Sequence, residues 1–271
     1  MKAMLILCCC LLISSQSYAK NPPQVATNLP VLQLITQQLT TDTPVEVSYL
    51  PPRRYPVNRI PSWLQHKANQ KLDRQLAFDA LITVESIWPE FSSYPLLRSR
   101  NIRLVQIDAA RQLIPGGAKV VLAREQQQGY FWLAPDNLLV MANIISQELA
   151  RMWPEYQLQL ERNRGKLAAD IRRYSLQLDN LLATALIDEL VIDIPQLTPL
   201  VQATSLPLVK GDSPAFGNRL MIAAKQRKKV SYNHPVWYME ALQRLPKTTL
   251  PEVLADNLKR LEVALTGHHQ G

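Results

Sequence analysis

Between Tyr156 and Leu181 the chain carries a single apolar face at helical spacing, built from Tyr156, Leu160, Leu167, Ile171, Tyr174, Leu178 and Leu181. Globular helices usually run about 8–20 residues, so a face of this length needs an architectural reason. A coiled coil is one reading, but the core positions drift, include Asn163 and are interrupted by Gly165, so no sustained heptad seam forms. A rigid strut joining two packed units fits the pattern better.

The segments before the strut alternate between strand and helix, which predicts a parallel sheet flanked by helices. Gln24–Thr27 opens as a strand, and Pro30 leads into a helix with Leu32, Ile35 and Leu39 on one face. Val45–Leu50 alternates as a strand until Pro51-Pro52 stops it. Phe78–Val84 is a continuous apolar run suited to a strand buried on both faces, and Arg103–Ile107 gives a fourth strand. Pro135 and Asp136 suit the first turn of a helix carrying Leu138, Met141, Ile145, Leu149 and Met152. Beyond Leu190, Pro195, Pro199, Pro207 and Pro214 break the chain into short pieces. There the spacing suggests a short helix over 219–229, a strand over 230–232, and a helix from His234-Pro235 to Leu245. An amphipathic helix over 250–265 closes the chain. The expected fold is α/β, two Rossmann-like lobes joined by a long rigid backbone helix. The expected division is 1–19 leader, 20–153 first lobe, 154–190 linking helix, and 191–271 a shortened second lobe.

Residues 1–19 read as an export signal of the Sec type, which implies the periplasm. Lys2 supplies the positive end, Met4–Ile13 the apolar run, and Ser17-Tyr18-Ala19 a small-residue cleavage site. The run is too short for a bilayer that needs about twenty residues. All three cysteines, Cys8, Cys9 and Cys10, lie in it. Lys20–Gly271 therefore has no disulfide, thiolate metal site or cysteine nucleophile. The excess of 30 basic over 22 acidic residues is scattered, dense only at Arg53-Arg54, Arg172-Arg173 and 225–229. A scattered excess on an exported chain gives no nucleic-acid footprint.

Enzymatic chemistry has little to work with. The chain has eight glycines and four histidines, with no Gly-x-Ser-x-Gly, no His-Glu-x-x-His and no phosphate-binding glycine loop. No catalytic residue and no cofactor is assigned. At the carboxyl edge of an open sheet, where such folds bind ligands, the candidates are Glu85, Arg54 and Tyr130, with His234 after a strand of the second lobe. They would suit a polar or anionic organic ligand. Ordinary surface contacts are the competing reading for Glu85, Arg54 and His234. His66 reads as solvated, His268 and His269 as tail. Trp63, Trp88, Trp132, Trp153 and Trp237 read as core.

The order of elements resembles the zinc- and manganese-binding proteins of bacterial ABC importers. Tyr130-Phe131-Trp132-Leu133-Ala134-Pro135-Asp136-Asn137, continuing to Asn143, Ile144 and Leu149, is similar to that family's His-Val-Trp-Leu-Asp-Pro-x-Asn. Asn101–Gly116 resembles its strand and Leu-Ile/Leu-Pro loop, Val45–Pro56 its strand followed by Pro-Pro-Gly-x-x-Pro-His, and Asp256-Asn257-Leu258 to Leu265 its closing Asn-Leu-x-x-Leu helix. The resemblance implies a monomeric solute receptor that meets an ABC permease. It also implies histidine ligands, and here the sequence departs. Val57 stands where the first would be and Tyr130 where the second would be. The third belongs near Ile194–Leu200, but no histidine occurs between His66 and His234. The acidic ligand has no clear counterpart, and the family's histidine-rich loop is absent. No metal residue is therefore assigned. Two functions remain open: a receptor with a degenerate metal site, turned to a small molecule or chelated metal, and an envelope module that binds a protein partner.

Overall fold

The computed structural model describes residues 21–72, 78–112, 114–122, 129–224 and 234–268. The leader and the basic run 225–229 lie outside them, as does the strand expected over 230–232.

Four parallel strands form the first sheet: β1 (Gln24–Thr27), β2 (Glu46–Tyr49), β3 (Ala80–Thr83) and β4 (Val105–Asp108), in the order β2-β1-β3-β4. β3 is buried at every position, as a central strand covered by helices on both faces requires. Helix α1 (Pro30–Leu39) crosses from β1 to β2 and buries Leu32, Ile35 and Leu39. The short helices α2 (Ile60–His66), α3 (Ala68–Lys71) and α4 (Tyr94–Arg98) line the remaining connections.

Helix α5 (Pro135–Met152) opens with Pro135 at its start and Asp136 in its first turn, favourable both for backbone geometry and for the helix dipole. A single 3-10 turn, Pro154–Tyr156, separates it from α6 (Gln157–Thr184), the long strut. α6 runs unbroken through Gly165, and its buried face carries Leu160, Leu167, Ile171, Tyr174 and Leu178. Asn163 lies on that face, 2% exposed. Its amide donates to the carbonyls of Leu39 (2.8 Å) and Thr41 (2.7 Å), receiving the unpaired carbonyls where α1 ends. The polar residue that argued against a coiled coil is thus the pin between the strut and the end of α1.

The second sheet is smaller and wholly parallel: β5 (Ile187–Ile192), β6 (Asn218–Ala223) and β7 (Val236–Tyr238), in that order. Helix α7 (Thr198–Ala203) follows β5, and α8 (Leu250–His268) closes the chain against α6 and β7. Two expectations are corrected here. Arg219–Ala223 is a strand, because its apolar run sits in the middle of a sheet and is buried from Arg219 onward. Val236–Tyr238 is a strand and Met239–Thr249 is irregular, where a helix through Leu245 was expected. β5 was not anticipated. The two-lobe arrangement with its long connecting helix stands as expected.

Candidate functional site

The switch point of the first sheet lies between β1 and β3, whose carboxyl ends run into Asn28 and into Val84-Glu85. In open α/β sheets ligands enter at that place. The segment that follows β3 enters an aromatic cluster. Trp88 stacks on Phe91 at 4.9 Å and meets Phe131 and Trp132 edge-on at 5.6 and 5.3 Å. Tyr130 stacks on Trp132 at 5.0 Å. Phe131 and Trp132 are each 1% exposed. Ring pairs in these geometries add to the large apolar area that each ring removes from water. All five tryptophans are buried, as expected.

Of the four sequence candidates, Tyr130 alone makes a ring contact in this cluster. Tyr130 is buried within it, and burial pushes its phenol pKa up, so the ring presents a neutral hydroxyl. Glu85 is half-buried just after β3, and its carboxylate accepts the Ser93 N–H at 3.3 Å. Arg54 is exposed, with its guanidinium 5.9 Å from the Tyr55 ring centroid. His234 is partly exposed, two residues before β7. In these contacts Tyr130, Glu85 and Arg54 each meet a near neighbour in sequence. Val57 is 3% exposed. Among the described residues no three His, Cys, Asp or Glu side chains gather into a metal-binding group. A neutral phenol and an alkyl chain offer a divalent ion nothing comparable to imidazole or carboxylate.

What the sequence reading missed is the segment of the second lobe that lies against this edge. The backbone N–H of Val57 donates to the Gln243 carbonyl at 2.8 Å. The Trp132 indole donates to the Ala241 carbonyl at 3.2 Å, and the Arg53 guanidinium to the Pro246 carbonyl at 2.5 Å. Beside them the Tyr130 N–H donates to the Gln196 carbonyl at 2.9 Å. The segment is itself braced. Asn257 of α8, 2% exposed, accepts the Glu240 N–H at 2.6 Å and donates to the Glu240 carbonyl at 3.0 Å. The Glu240 carboxylate accepts the Leu242 N–H at 2.8 Å. Leu242 is buried at φ 55, a conformation uncommon for a side-chain-bearing residue. No local pattern announces such a turn. Asn257, in the stretch similar to the family's closing helix, was the one available signal.

Elsewhere the described residues line two surface grooves. One of about 400 Å³ runs between α1, β2 and Thr248-Thr249, and one of about 290 Å³ between α6 and α8. Neither is lined by Glu85, Arg54, Tyr130 or His234.

No protein-family model matches the chain, and no curated protein sequence does. Solved structures do match over most of its length. The manganese complex of the SBP FpvC from Pseudomonas aeruginosa is 11% identical, with 92% of this chain and 98% of that one covered and a TM-score of 0.63. The zinc-bound ZnuA-like domain of AdcA from Streptococcus pneumoniae is 14% identical, covering 90% and 98%, at 0.60. The metal-dependent lipoprotein YcdH from Bacillus subtilis is 14% identical, covering 89% and 98%, at 0.63. At such identities the likeness carries the fold, and the site must be argued from its own residues. By that measure the chain has the two-lobed fold of zinc- and manganese-binding substrate-binding proteins.

Proposed function

We propose that this chain is an exported substrate-binding component of the ABC-importer type whose zinc or manganese position has been lost. One observation carries the reading: Val57 and Tyr130, at the positions where the resemblance places histidine ligands, are buried, and their backbone N–H groups bond to the second lobe. A metal there would meet an alkyl chain and a neutral phenol. The protein acts as a binding protein, not as an enzyme, and works in the periplasm. Glu85 and Arg54 are the polar groups of the first lobe left to meet an organic or chelated ligand, and His234, at the amino end of β7, is the candidate of the second lobe.

The buried aromatic cluster that follows β3 favours a second reading, an envelope module that keeps the receptor fold and binds a protein partner. A receptor keeps a concave, polar-lined pocket for its solute. Metal content and zinc and manganese affinity separate the first reading from a rebuilt metal site. They are measured on the tag-free chain from Lys20 and on a version truncated before His268. The expected result is no stoichiometric metal beyond what the tail contributes. Tight one-to-one binding that survives truncation overturns the proposal.

A further inference from the structure

We propose that residues 239–246 are a built-in latch that holds the two lobes in their closed arrangement without any ligand. It rests on the same reading of the cleft, and it adds the source of the closure. In a two-lobed receptor that closes on its cargo, contacts to the bound molecule supply the differential free energy that favours the closed state. Here the donors on the first lobe are met by the protein's own main chain.

The geometry is specific. Val57 N–H, the Trp132 indole and Arg53 reach the carbonyls of Gln243, Ala241 and Pro246. The Tyr130 N–H reaches Gln196 beside them. The centre of the contact is dry, with Val57 3% exposed and Trp132 and Ala241 each 1%, while the Arg53–Pro246 bond lies at its exposed rim. Opening the lobes would trade those bonds for bonds to water, a small net loss at each, and bare the aromatic cluster to water, two costs with the same sign. The latch is also shaped in advance. Leu242 holds its left-handed φ because the Glu240 carboxylate takes its N–H, and Glu240 is held at both backbone atoms by Asn257. Strained backbone persists where the surroundings over-determine it, and such positions cluster at clamps and switches. A chain latched in this way presents the closed shape permanently, so a partner that reads closure would find it always closed.

Amide hydrogen exchange on the full chain in excess chelator tests this. The Val57 and Tyr130 amides are expected to be as protected as Ala26 and Ile82 in the sheet, with no change when zinc or manganese replaces the chelator. Arg53→Met, a substitution at an exposed side chain, removes one latch contact and should speed Val57 exchange several-fold while Ala26 and Ile82 stay as they are. Trp132→Phe, which keeps a ring but no donor, should do more. Fast exchange at Val57 and Tyr130 in chelator, slowed by metal, overturns the latch. So does an Arg53→Met variant with unchanged Val57 exchange. Metal binding by a chain already protected in chelator would sink the lost-site reading and leave the latch standing.

Discussion

Replacing Asn257 by alanine isolates the brace beneath the latch. The side chain makes two hydrogen bonds to Glu240, at 2.6 and 3.0 Å, from a position 2% exposed. A buried hydrogen bond contributes about 1 kcal/mol net, and an orphaned partner costs about 1 more. The expected loss is therefore about 2–3 kcal/mol. In a chain of this size each kcal/mol lowers Tm by roughly 2–4 °C, so the melting point should fall by about 5–10 °C. Urea denaturation followed by tryptophan fluorescence reads the change locally, because the Trp237 indole donates to the Asn257 carbonyl at 2.9 Å. Asn257→Asp keeps the acceptor for the Glu240 N–H but sets a carboxylate against the Glu240 carbonyl, so it should recover little. A loss under about 0.5 kcal/mol would refute the claim that Asn257 sets the latch, since two buried bonds cannot be that weak.

Asn163→Ala should cost about 2 kcal/mol in urea denaturation, because it removes two hydrogen bonds and leaves the buried Leu39 carbonyl without its side-chain donor, while Thr41 keeps only the longer bond from Gln159. Gly217→Ala would place its Cβ 2.7 Å from the Asp188 Cβ, which no side-chain rotation relieves, and should lower stability by about 1–3 kcal/mol in the same assay. Glu252 caps α8: its carboxylate accepts from the Thr248 hydroxyl and from the N–H and hydroxyl of Thr249, which hold its pKa below the usual carboxylate value. The sign follows from the lowered pKa. The stabilisation is complete above the ordinary glutamate value of about 4.3 and is lost as pH falls through the folded-state value. Thermal melts from pH 6 to pH 3 should therefore show a steeper acid loss in the native protein than in Glu252→Gln.

The sequence by itself determined the frame. The apolar face from Tyr156 to Leu181 dictated a strut, and the alternation before it dictated a parallel sheet, because both are periodicities that neighbouring residues write locally. The resemblance sets Val57 and Tyr130 where its family has histidine, and an alkyl chain or a neutral phenol is a poor ligand for a divalent ion. The second lobe was less legible. Arg219–Ala223 is a short buried strand and Val236–Tyr238 has three residues with only Trp237 buried, and such short apolar runs do not declare helix or strand by period. The use of Asn163 was opaque for a related reason, since its acceptors Leu39 and Thr41 lie more than a hundred residues away.

Tertiary structure alone decided what became of the cleft. Nothing near Leu242 in sequence announces a left-handed turn, and nothing near Val57 says that Gln243 will receive its N–H. Those facts arise only when α8 sets Asn257 under Glu240 and α6 brings the two sheets together. Periodicity is a property of adjacent residues, whereas a latch is a property of donors and acceptors that meet only after the chain has folded.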